Sequence, residues 1–188
     1  MSYLLPTWEI AIKDKEYFRH AIIEAMLTRA ESLRIGESRS ELLVRELSPV
    51  DLRLESWVIP KQEPKTTTTW INQQTDYNKV IGFYKVVQLS ENPGIVEINI
   101  HFTKNSIYQH QLGQLYGLIP LLRKIKEVGQ LELLQVQYGL ENLRMEGWFS
   151  EPYVILPSQL IRIDVATGSK GTDGDSLVFV GFVVEPII

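Results

Sequence analysis

The sequence predicts an α+β protein, with amphipathic helices in its N-terminal region and an antiparallel β-sandwich or barrel in its C-terminal half. Three observations carry that prediction. Between Phe18 and Leu33 the apolar residues recur every three or four positions, the spacing of one helix face. From Val80 onward the spacing falls to two, as in a strand. The last apolar run, LVFVGFVV at residues 177–184, is apolar at odd and even positions alike, so it needs cover on both faces.

The elements follow in order. Asp14 is placed to cap a helix and Glu16 falls in its first turn, where a negative charge is favourable. The stripe Phe18, Ala21, Ile22, Ala25, Met26, Ala30 and Leu33 gives that helix one buried side, and Gly36 supplies a stop. A shorter second helix is expected over residues 40–47. Ser48-Pro49 then reads as a cap followed by proline at a first helical position. Residues 60–79 hold Pro60, Pro64, four successive threonines and a polar run after Trp70, which together predict a long polar loop anchored by that tryptophan.

Residues 80–89 and 95–102 alternate as strands, and the turn-forming SENPG between them suggests a hairpin. Residues 105–128 mix helical spacing with Gly113, Gly117 and Pro120, so a helix is expected only over residues 120–128. Further strands are expected at residues 133–138, around Trp148 and Phe149, at residues 153–156 and at residues 160–165. The chain thus divides into a helical region 1–59, a polar loop 60–79 and a β domain 80–188 with a short inserted helix, all in one folding unit.

Composition narrows the function. An apolar fraction of 44% and a charged fraction of 22% describe an ordinary soluble domain, and a net charge of -4 leaves no footprint for nucleic acid. There is no cysteine, which excludes disulfides, thiolate nucleophiles and cysteine zinc sites. No stretch approaches the roughly 18 apolar residues of a membrane span. The opening MSYLLPTWEIAIKDKEYF lacks the pattern of a secretory leader, so synthesis in a cytoplasm is expected.

The stretch GSKGTDGDS, residues 168–176, resembles a phosphate-binding or calcium-binding loop only in composition. Its lysine comes too early for a phosphate loop, and the element after it is a strand. Its aspartates lack the closing glutamate of a calcium loop. It is therefore expected to be the tip of a hairpin joining residues 160–165 to 177–184, with Gly168, Gly171 and Gly174 supplying positive φ. Glu97, His101 and His110 are candidate metal ligands only if His110 folds back. Glu97, Glu132 and Asp164 are candidate cleft carboxylates. A wet strand face explains each more simply, so no catalytic residue, metal or cofactor is assigned. Tyr84, Tyr138, Tyr153, Trp148 and Phe149 either line a ligand pocket or fill a core or subunit contact.

The ending resembles the closing strands of bacteriophage and viral virion proteins, in Leu156-Pro157, Ile161-Arg162-Ile163 and Val180-Gly181-Phe182. That resemblance implies a non-enzymatic structural or adaptor protein, self-associating in a symmetric assembly such as a capsid, neck or tail. Its partners would be further copies of itself and other virion proteins, with no nucleic acid or membrane. Its location would be a virion made in a host cytoplasm, or the cytoplasm itself. Trp70, Val178, Phe179, Val180, Phe182 and Val184 are the expected interface residues. The alternative is a small-ligand-binding β-barrel module.

Overall fold

The computed structural model describes residues 5–88, 94–103, 106–112 and 145–187. Among the described residues two helices, α1 (Trp8–Lys13) and α2 (Lys15–Ser32), precede eight strands: β1 (Leu42–Glu46), β2 (Thr67–Gln74), β3 (Val80–Gln88), β4 (Ile95–Thr103), β5 (Ser106–Gln111), β6 (Met145–Ile155), β7 (Leu160–Thr167) and β8 (Leu177–Pro186). The strands form two antiparallel sheets, β1-β8-β3-β6 and β2-β7-β4-β5. The predicted α+β class and the sandwich are both present.

The pairing has a simple logic. The first strand pairs with the eighth, the second with the seventh, the third with the sixth and the fourth with the fifth. This is one long hairpin rolled on itself, and the roll closes where β3 meets β8 and β4 meets β7. Eight strands arranged this way in two facing sheets are a jelly roll.

Two apolar layers hold the roll. Between the sheets lie Phe83, Ile98, Ile100, Ile163, Val165, Phe179 and Val183, among others. On the outer side of β1-β8-β3-β6, helix α2 lays Phe18, Ile22, Met26 and Ala30 onto Val80, Phe182 and Val184. The helix starts where the sequence places it, with Asp14 Oδ1 accepting from the Tyr17 amide at 3.0 Å. Burying its three large side chains stabilises the contact by about 2 kcal/mol each.

Several expectations change. Residues 42–46 form strand β1, not a helix, because pairing with β8 overrides the helical leaning of Glu, Leu and Arg. The helix stop comes before Gly36: Arg34 takes the left-handed conformation (φ 55°), and the Ile35 amide bonds back to the Ala30 carbonyl. The expected loop 60–79 contains β2, an edge strand built from its threonines. Neither expected hairpin exists. β3 and β4 lie in different sheets, and so do β7 and β8, so both short links cross from one sheet to the other. The turn at Ser48 is as expected: Ser48 caps a 3₁₀ turn, Pro49–Leu52, in a reciprocal box with Asp51. The expected helix at 120–128 and strand at 133–138 lie outside the described residues.

Two glycines set how close the layers come. A Cβ on Gly181 would stand 1.8 Å from the Gly82 carbonyl oxygen, on the neighbouring strand. A Cβ on Gly82 would stand 2.7 Å from Met26 Sδ, the flexible end of a helix side chain. Gly181→Ala should therefore cost about 4 kcal/mol or more, because backbone must move. Gly82→Ala should cost about 1–3 kcal/mol, and Met26→Ala should relieve part of that cost when combined with it. Urea unfolding of the single and double variants measures both.

Candidate functional site

The six residues expected at an interface lie mostly inside the protomer. Phe179 is buried between the sheets and stacks on Trp70, itself buried, with ring centres 5.8 Å apart. Phe182 and Val184 are buried under α2. Val178 and Val180, on the same outward row of β8, are half-buried. At Phe182 and Val184 the two-sided strand thus meets its own chain on both faces, one sheet inside and one helix outside. Most of the apolar β surface that suggested a subunit contact is covered by the chain itself, and Val178 and Val180 keep part of theirs.

The described aromatic candidates do not converge on one pocket. Tyr84 and Trp148 stack at 5.3 Å on the helix side, where both meet the edge of Phe18. Phe149 and Tyr153 pack on Phe83 between the sheets. Tyr138 lies outside the described residues.

GSKGTDGDS is a clasp. Gln62 and Thr172 exchange backbone hydrogen bonds at 2.9 Å, the Lys65 amide donates to the Gly168 carbonyl at 2.8 Å, and the Gly168 amide donates to the Gly94 carbonyl at 3.0 Å. Asp175 accepts from the Gly94 amide and the Thr172 hydroxyl. Among the described glycines only Gly174 has positive φ (76°). Gly171 serves close approach instead, since its Cβ would stand 2.6 Å from the Gln62 carbonyl oxygen. The loop ties the crossing between the sheets to residues 57–66.

The outer face of β2-β7-β4-β5 is polar. At its centre the Asp164 carboxylate accepts from the Thr69 hydroxyl at 2.8 Å and from both forks of Arg162 at 2.9–3.0 Å, with His101 Nε2 at 3.3 Å. Burial alone would raise the Asp164 pKa, but the Arg162 guanidinium and the Thr69 hydroxyl outweigh it and hold the carboxyl below its usual range. Glu97 accepts from Gln109 and Gln111 on the neighbouring strand. Both described candidate carboxylates are thus occupied with structural partners, and Glu132 lies outside the described residues.

His110 faces the other way from Glu97 and His101, into the aromatic seam between the β5 and β6 edges. Its ring lies 4.8 Å from Phe149 and its Nε2 bonds the Tyr153 hydroxyl. The three candidate ligands therefore do not meet. Among the described residues no group of three His, Cys, Asp or Glu is placed to hold a metal ion.

An ion knot that sequence reasoning missed joins three chain segments. Arg45 on β1 holds Asp51 at 2.8 Å and Glu185 on β8 at 2.7 Å, and Lys79 reaches Asp51, Asp76 and Glu185 at 3.2–3.7 Å. Burial would raise the Asp51 carboxyl, but Arg45 and Ser48 hold it low. The network fastens strand ends, and its residues are too far apart in sequence to form a readable motif.

Comparison with known protein families, curated proteins and solved structures finds no match.

Burial pushes the His110 imidazole down to about 4, so the folded protein holds it neutral where the unfolded chain, titrating near 6.5, is charged. Stability from this group is complete above about pH 6.5 and is lost as pH falls toward 4. His110→Phe should remove that loss. Melting temperatures between pH 7 and 4 should fall less steeply in the variant than in the parent.

Proposed function

We propose that this chain is a non-enzymatic structural protein that self-associates in a symmetric assembly, of the kind that builds virus and bacteriophage particles. The observation that carries the reading is the strand order β1-β8-β3-β6 over β2-β7-β4-β5. Viral capsid subunits use the jelly roll in this way, and the step from fold to role is one of analogy. The closing segment adds to it. In Val180-Gly181-Phe182 the glycine permits close approach of β8 to β3 and Phe182 anchors the helix.

The contact surface differs from the one first expected. Since Phe179, Phe182 and Val184 are covered by the chain itself, association would draw on the less covered parts of the roll: the polar sheet face, the sheet edges or the loops. Mass in solution and electron microscopy test the reading. Particles or oligomers of defined copy number support it. A single-protomer mass across a concentration series, with no partner retained from the source lysate, contradicts it.

A small-ligand module is the second reading, since lectins and cupins share the jelly roll. It draws on the exposed side chains of the Asp164 face. A saturable rise in melting temperature with a sugar or small-molecule panel, lost in Arg162→Ala, favours it; no rise across the panel counts against it.

A further inference from the structure

Among the described residues the two sheets have four edge strands, and they are not alike. β1 carries Arg45 and Glu46, with Arg45 committed to the ion knot. β6 carries Glu146, Glu151 and Pro152, the charges and proline by which natural edges resist pairing. β5 spans only six residues. β2 differs: residues 66–75 read TTTTWINQQT, with no charge, proline or glycine. Thr66, Thr67, Thr68 and Thr69 are all exposed. Among the described residues β2 pairs with β7 alone.

The pairing fixes which backbone groups are available. The Thr66 carbonyl bonds the Thr167 amide on β7, so alternation turns Thr68 toward β7 and Thr67 and Thr69 toward the open edge. A bulge between Thr69 and Ile71 separates this threonine segment from the rest of the strand. Branched threonines favour an extended chain, and threonine pairs across strands stabilise a sheet.

A second copy suits this edge for a reason of symmetry. A twofold axis sets a strand against itself, so a charge near the axis meets its own image. The threonine segment has none. With Thr68 on the axis, Thr67 exchanges backbone bonds with Thr69 of the other copy, and each facing pair within Thr67–Thr69 is threonine on threonine.

We propose that the β2 edge is a self-pairing site, joining two copies antiparallel through Thr67–Thr69 into one eight-stranded sheet. This rests on the self-association reading and names its surface. A contact of this size is small and weak alone, and gains strength by repetition in an assembly.

Thr68→Lys and Thr68→Glu test it by sedimentation across a concentration series, with melting temperature of dilute protein as the check on folding. Thr68 is exposed, so both variants should fold as the parent does. Each alone should weaken association at least tenfold, and an equal mixture should restore it, because opposite charges then face each other across the axis. Thr68→Cys gives a second readout in a chain without cysteine. Non-hydrogen-bonded facing residues lie about 4.5 Å apart, within disulfide reach, so mild oxidation should yield a covalent dimer, while Leu43→Cys on the β1 edge should not. Association unchanged in both charged variants, with no covalent dimer from Thr68→Cys, overturns the β2 site and leaves the assembly reading standing. A parent protein that is monomeric throughout overturns both.

Discussion

The structure depends on covering both faces of one sheet. β1-β8-β3-β6 is apolar on each side: the inward row Leu177, Phe179 and Val183 packs on the second sheet, and the outward Phe182 and Val184 pack under α2. A jelly roll supplies the first cover by rolling, since the strands that pair at one end of the chain are brought over those that pair in the middle. It cannot supply the second, because the outer face of a two-layer sandwich meets water. The N-terminal helix does so, and this gives the helix its length and its stripe. Gly82 and Gly181 then follow as the places where strand, strand and helix come too close for a side chain.

The other sheet has the opposite character. Its outer face is polar: Thr69 of β2 and Arg162, on the same strand as Asp164, hold the Asp164 carboxylate, and Gln109 and Gln111 of β5 hold Glu97 on β4. A carboxylate removed from water is costly unless paired, and Asp164 is paired from both sides. The molecule is thus asymmetric: a dry three-layer half and a wet face.

Much of this was legible in the sequence. The helix, its cap at Asp14 and the buried Phe18, Ile22, Met26 and Ala30 of its stripe were legible, because a 3.6-residue period with a polar remainder has few other solutions, whereas Leu33, expected on the stripe, is exposed at the helix end. Strands with clean alternation were legible for the same reason. β2 was not, since an exposed edge made of threonine, asparagine and glutamine looks polar in composition whether it is a loop or a strand. β1 was hidden by residues that also favour helix, and only its pairing with β8 decides. The links at residues 89–94 and 168–176 carry turn chemistry that serves a hairpin and a crossing between sheets equally well, so partner choice was beyond the sequence. For the candidate site, the apolar count of β8 was right, but composition cannot say whether the covering surface belongs to the same chain.

The central claim is that the apolar faces of β8 at Phe179, Phe182, Val183 and Val184 are covered by its own chain, which directs the proposed association to other surfaces. Amide hydrogen exchange, read by mass spectrometry in dilute and in concentrated protein, tests it most directly. The account predicts that amides of Leu177–Pro186 and of the buried face of α2 exchange slowly in both, at the rate set by global unfolding. Protection of β8 that is weak in dilute protein and rises with association would contradict it, because its cover would then come from a neighbour.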